Sequence, residues 1–228
     1  IEDGNELHIY TTDTFTPGGT VTTSPSASSS SLDGDVHIDG TGTLSMGTNA
    51  LSVGGDYNNE GTFSKSTGQT TLFTATASGH TIVGGGENFD SLTFNGSGGG
   101  WTFSDANTAD VDLTVIAGTL TVGALALTVT GNTSVTGTLT ITSATGTKAF
   151  NGNVTINNGG VWNNTAANVA LTLPGSLQSD GTFNAGSGAH TFSGASKTIS
   201  GANSITLASI ASTSLTNNGT LVVTGVIS

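Results

Sequence analysis

The sequence predicts an all-β chain: a β-solenoid (β-helix) of short stacked strands, preceded by an irregular N-terminal segment. Three observations carry the prediction. Of 228 residues, 35 are Gly, 43 Thr and 27 Ser. Only 8% are charged, against about 25% in an ordinary domain, so the Glu, Lys and Arg that helices favour are scarce. Short apolar-alternating pieces recur between Gly, Asn and Asp turns, and no longer window carries a 3.6-residue period.

Residues 1–35 differ from the rest. Glu6–Tyr10 (ELHIY) reads as a strand and Ser24–Ser31 (SPSASSSS) as a flexible linker. This segment is expected to be an arm that adds its strand to a neighbouring subunit. Residues 36–228 are expected to form the solenoid. Its first strands are read at Val36–Ile38, Thr43–Met46, Leu51–Val53, Gly61–Phe63, Thr71–Phe73, Thr81–Val83 and Ser91–Phe94. Most alternate apolar and polar residues, which puts one set of side chains inward. Trp101–Phe103, Val111–Val115, Thr119–Val122, Leu125–Val129 and Thr138–Ile141 continue the pattern, with Trp101 and Phe103 both inward. Val154–Ile156, Leu171–Leu173, Gly181–Phe183, His190–Phe192, Thr198–Ile199, Ser204–Leu207 and Thr220–Val223 complete it.

A strand this short cannot bury its own apolar face. Stacking it on an equivalent strand one coil away buries a continuous thin core and satisfies the ladder. Coils of about 18–25 residues with two or three strands each give about eight or nine coils. The rival architecture is a β-sandwich of antiparallel hairpins, which also has many short strands and frequent turns.

Internal echoes support repetition. G-T-L/F triplets start at Gly42, Gly61, Gly118, Gly137, Gly181 and Gly219, at intervals that only partly follow multiples of 19. Asp56–Val83 and Leu177–Ile199 share a strand–turn pattern, offset by 120 residues at Gly61 and Gly181. Recurrent Asn pairs suit corners, and inward asparagines are expected to bond along the axis.

Charge excludes several classes. The net charge is -12, which argues against a nucleic-acid partner. Residues 1–112 hold 14 of the 15 acids and one lysine, while residues 113–228 hold Asp180, Lys148 and Lys197. With no cysteine, a disulfide scaffold or thiolate metal site is ruled out. The longest apolar run, Val122–Leu127, is far below the roughly 20 residues of a membrane span. The chain opens on Ile1 without a basic start before an apolar core, so any leader is expected upstream of it.

Candidate chemistry is sparse. Asp33, Asp35 and Asp39 (DGDVHIDG) form one aspartate cluster, and Asp105, Asp110 and Asp112 a looser second one. Carboxylates spaced by turns can wrap calcium, although no closing bidentate Glu is present. Solvated turns are the competing reading. Paired carboxylates could also act on polysaccharide, but the chain has no Arg and only two Trp and two Tyr, so no enzyme is expected. His8, His37, His80 and His190 show no spacing logic and read as surface or core-edge residues. Alternating stretches such as Thr136–Thr142 put threonine hydroxyls on one face. Such a ladder could match a regular surface, but outward Thr is also an ordinary polar strand residue.

The phrases LSVGGDYNNEGTF (Leu51–Phe63), GTLTVGALALTVT (Gly118–Thr130), TGTLTI (Thr136–Ile141) and LQSDGTFNAGSGAHTFS (Leu177–Ser193) resemble the Gly/Thr/Asn-rich repeat regions of large secreted bacterial surface proteins, of the adhesin and filament type. The resemblance is one of texture and covers roughly residues 36–228. It implies an exported, structural or adhesive protein without catalytic residues. The expected function is therefore a self-assembling subunit of an extracellular filament or cell-surface layer. Its expected partners are copies of itself, head to tail. The alternative is a segment of a larger adhesin that binds glycans or other cells.

Overall fold

A computed structural model of the chain describes residues 5–29 and 32–228. Ser30 and Ser31, in the expected serine linker, lie outside the described residues. The chain is all-β, a parallel β-solenoid of about 9 turns with no helix among the described residues. Every named strand pair is parallel, which excludes the hairpin sandwich.

Each turn has three sides. The first carries Leu7–Ile9, Val36–Ile38, Tyr57–Asn59 and His80–Val83, then the later part of Ser91–Phe103 and of Leu113–Val122. Thr138–Ile141, Val161–Asn163, Thr182–Asn184, Ile205–Leu207 and Leu221–Val223 continue it. The third side runs from Val21–Thr22 through Leu51–Val53 and Thr70–Phe73 to Leu215–Asn217. The second side is interrupted. Its three-stranded ladders are Thr14–Phe15 to Thr62–Lys65, Asn107–Ala109 to Lys148–Phe150, and Leu171–Leu173 to Ser209–Ser212.

The core is a thin column. Trp101 and Phe103 point into it as expected. Tyr57, Phe63, Phe89, Phe73, Phe94 and Trp101 touch in succession, with Phe73 stacked on Phe94 at 5.1 Å. Phe150, Trp162 and Phe183 form a second aromatic run further along. Glycine permits the tight corners. Gly34 sits at φ 77°, and a Cβ there would collide with the Ser24 carbonyl oxygen.

The N-terminal segment is not a free arm. Leu7–Ile9 lies in register with Val36–Ile38, Thr14–Phe15 with Thr43–Leu44, and Val21–Thr22 with Leu51–Ser52. These three strands make the first turn, so the solenoid does not begin at Val36. Serine-rich composition suggested a linker, but small hydroxyls are readily buried when backbone partners are near. Thr23 and Ser26 are fully buried. Thr23 Oγ1 donates to the Gly34 carbonyl and accepts from Gly54 N–H, while Ser26 N–H donates to the Gly54 carbonyl at 2.7 Å.

The G-T-L/F triplets do open strands, but on different sides. Those at Gly42 and Gly61 lead onto the second side, and those at Gly118, Gly137 and Gly181 onto the first. This shift of side explains their irregular intervals. It also means that the 120-residue echo joins similar strand–turn units at different places in the turn.

Candidate functional site

The most concentrated polar chemistry lies at the N-terminal end of the first side. Parallel register places His8 directly against His37, and His37 against Asn58. Alternation turns all three outward, because Ile9, Val36, Ile38 and Tyr57 take the inward positions. The two imidazoles stack with centroids 4.7 Å apart and planes 9° apart. Tyr10 stacks on His8 at 4.1 Å.

Two carboxylates frame the pair. His8 Nδ1 lies 3.0 Å from Glu6 Oε1, and His8 Nε2 lies 3.1 Å from Asp39 Oδ1. The same Asp39 oxygen is 3.4 Å from His37 Nε2. Burial works against the charged His8 ring, but the hydrogen bonds that the ring donates to Asp39 and Glu6 outweigh it and raise the pKa above the ordinary histidine value. The His8 hydrogen bond in turn holds Asp39 below the usual carboxylate range. Among the described residues, Glu6, His8 and His37 are the group whose ligand atoms all lie within 4.8 Å of one another.

The two aspartate trios expected from the sequence do not converge in this way. Asp33 lies in the corner before Val36–Ile38, and Asp35 and Asp39 flank that strand. Asp35 Oδ1 accepts the Asp56 N–H at 2.6 Å. Burial of its carboxyl raises the pKa to about 6. Asp105 accepts from Gly84 and Gly85 N–H at 2.9 and 2.7 Å, capping the corner of the preceding turn. Asp110 pairs with Lys65 Nζ at 2.9 Å and accepts from Asn88. Asp112 Oδ1 accepts the Asn132 N–H at 2.7 Å. Of the six, Asp39 touches the histidine pair.

A readable signal for that pair existed. Glu6–Ile9 (ELHI) and Asp35–Ile38 (DVHI) share an acid–apolar–His–Ile pattern one turn apart. The other two histidines are interior. His80 is buried with Nδ1 2.9 Å from Asp56 Oδ1, and His190 is buried with Nδ1 3.0 Å from the Gly188 carbonyl.

Two further features are open to solvent. Threonine hydroxyls form an outward rank on the first side, through Thr81, Thr102, Thr121 and Thr140. At the C-terminal end, a 280 Å³ groove is lined by Ile210, Leu215, Leu221, Val223 and Ile227. No helix among the described residues is long and apolar enough to cross a membrane. Comparison with protein families, curated proteins and solved structures finds no match to this chain.

Proposed function

We propose that the chain is a structural subunit that assembles end to end into an extracellular filament or cell-surface layer, with no catalytic role. One observation carries this reading: the last turn presents an apolar edge. Val222, Val226 and Ile227 are 44%, 66% and 73% exposed. Among the described residues, Leu221–Val223 is in register with Ile205–Leu207 on one side only, leaving ladder groups ready for another strand. At the other end, Leu7–Ile9 is in register with Val36–Ile38 alone among the described residues.

Parallel stacking favours head-to-tail addition, because each new copy extends the same ladder. The acidic first half and nearly uncharged second half work in the same direction, since two acidic ends repel. A heterologous contact that does not close builds a filament. Negative-stain electron microscopy of the untagged chain is expected to show long uniform fibres. The double substitution Val222→Lys and Ile227→Lys is expected to leave single rods with an unchanged far-ultraviolet spectrum. Single rods from the parent chain would overturn the filament reading. They would favour a repeat segment of a larger adhesin, with the outward threonine rank offering hydroxyls to a glycan.

A further inference from the structure

We propose that Glu6, His8 and His37 form a binding site for a divalent transition-metal ion of the zinc type, with Asp39 as the positioning residue behind the rings. In-register stacking on adjacent turns brings the two imidazoles together, and the three ligand atoms already lie within 4.8 Å of one another. Donors around tetrahedral zinc at 2.0–2.1 Å stand about 3.4 Å apart. The group therefore closes on an ion through side-chain rotation, with the backbone ladder left in place.

The two nitrogens of His8 face different partners. Nδ1 faces Glu6 Oε1 at 3.0 Å, and Nε2 faces Asp39 Oδ1 at 3.1 Å. The Glu6 side is the metal side. Asp39 then accepts the remaining N–H, the carboxylate–histidine–metal arrangement that fixes the tautomer and orients the ring. Asp39 also lies 3.4 Å from His37 Nε2, which the Asn58 amide nitrogen faces at 3.4 Å as well. Two neutral imidazoles with two carboxylates balance a dication.

The donor set selects the ion. Imidazole suits zinc, copper and nickel, whereas calcium takes six to eight oxygens. The four side chains are 22–29% exposed, so the group is held in place yet open to solvent for ion entry. Bound metal would tie the first turn to the second through side chains, alongside their backbone ladder.

The test is calorimetric titration of the untagged, chelator-stripped chain with zinc chloride, and separately with calcium chloride. One zinc per chain is expected, with no comparable calcium binding. His37→Gln is expected to weaken zinc binding at least tenfold, and Asp39→Asn by about 10–100-fold. Nitrogen-15 spectra of the parent chain add a readout independent of variant folding: zinc should shift the His8 and His37 ring signals and leave His80 and His190 unmoved. Absent zinc binding, equal calcium binding, unaltered affinity in a folded His37→Gln chain, or ring signals that do not move would each overturn the assignment.

Discussion

His190 occupies an inward position that Leu171 and Ile210 fill in the adjoining turns of the same side. Its Nε2 is buried without a partner among the described residues. Burial lowers its pKa below the ordinary value, because the charged ring loses hydration. The folded chain therefore resists protonation that the unfolded chain accepts near pH 6.5. The stability associated with neutral His190 is present above that pH and lost as pH falls through it. His190→Leu is expected to narrow the difference in melting temperature between pH 8 and pH 5, and thermal melts at the two values check it. Lys148 is another polar residue on that inward rank, in register with Leu127. Its Nζ donates to the Leu125, Thr145 and Gly146 carbonyls. Burial lowers its pKa. Lys148→Met leaves those carbonyls without their donor, and denaturant unfolding is expected to show a loss of about 1–3 kcal/mol. Neither role could be read from composition, because a lysine or histidine at an inward position looks like a surface residue until its rung is known. The His8–His37 pairing left a partial signal in the shared ELHI and DVHI patterns, but its register depends on the length of the intervening turn.

At the scale of the element, the turns are linked by corner side chains as well as by ladders. Asp112 Oδ1 accepts Asn132 N–H, Asn132 Oδ1 accepts Asn153 N–H, and Asn153 Oδ1 accepts Ser176 N–H, at 2.7, 3.1 and 2.9 Å. Ser176 Oγ continues the series to Thr198 N–H at 3.1 Å. Each residue stands just before a strand of the third side, so one carboxyl, amide or hydroxyl reaches one turn onward. Asn153→Ala removes a single link, and a typical hydrogen bond contributes about 1 kcal/mol. The expected drop in melting temperature is about 2–4 °C, with Asn151→Ala as the near-silent control. Strands that alternate cleanly, such as Val36–Ile38, Thr138–Ile141 and Leu171–Leu173, were legible from sequence. Tyr57–Asn59, Asn107–Ala109, Thr133–Val135, Lys148–Phe150 and Leu177–Ser179 were not. Each of these carries a buried polar residue at an inward position: Asn59, Asn107, Thr133, Lys148 or Ser179. The apolar signal fails where the solenoid uses a polar rung. The corner Asn132 and Asn153 bond along the axis, each through its Oδ1 to a backbone N–H group one turn on. The inward Asn59 and Asn164 do bond along the axis as expected, but by donating to the Gly84 and Ala185 carbonyls of the next turn rather than to another asparagine.

At the scale of the whole molecule, the first-side rungs follow one another at 29, 21, 25, 21, 19, 19, 23, 21, 22 and 16 residues. A fixed period would have announced itself in the sequence, but turns of unequal length on a common cross-section do not. The inserted residues gather at corners. They include residues 164–170 beside the break between Lys148–Phe150 and Leu171–Leu173, where a 530 Å³ groove opens beside Lys148 and Pro174. Fold class, strand texture and parallel repetition were therefore legible, while the exact rungs and the residues they bring together required the register. That register has a mechanical consequence. Nearly every bond between turns joins residues about one circuit apart, so stability is approximately a sum of turn and neighbour contributions. Tension applied at the two ends loads the terminal turn first and leaves the turns behind it intact. The molecule then yields in steps, each freeing a circuit of roughly 20 residues, or about 70 Å of extended chain.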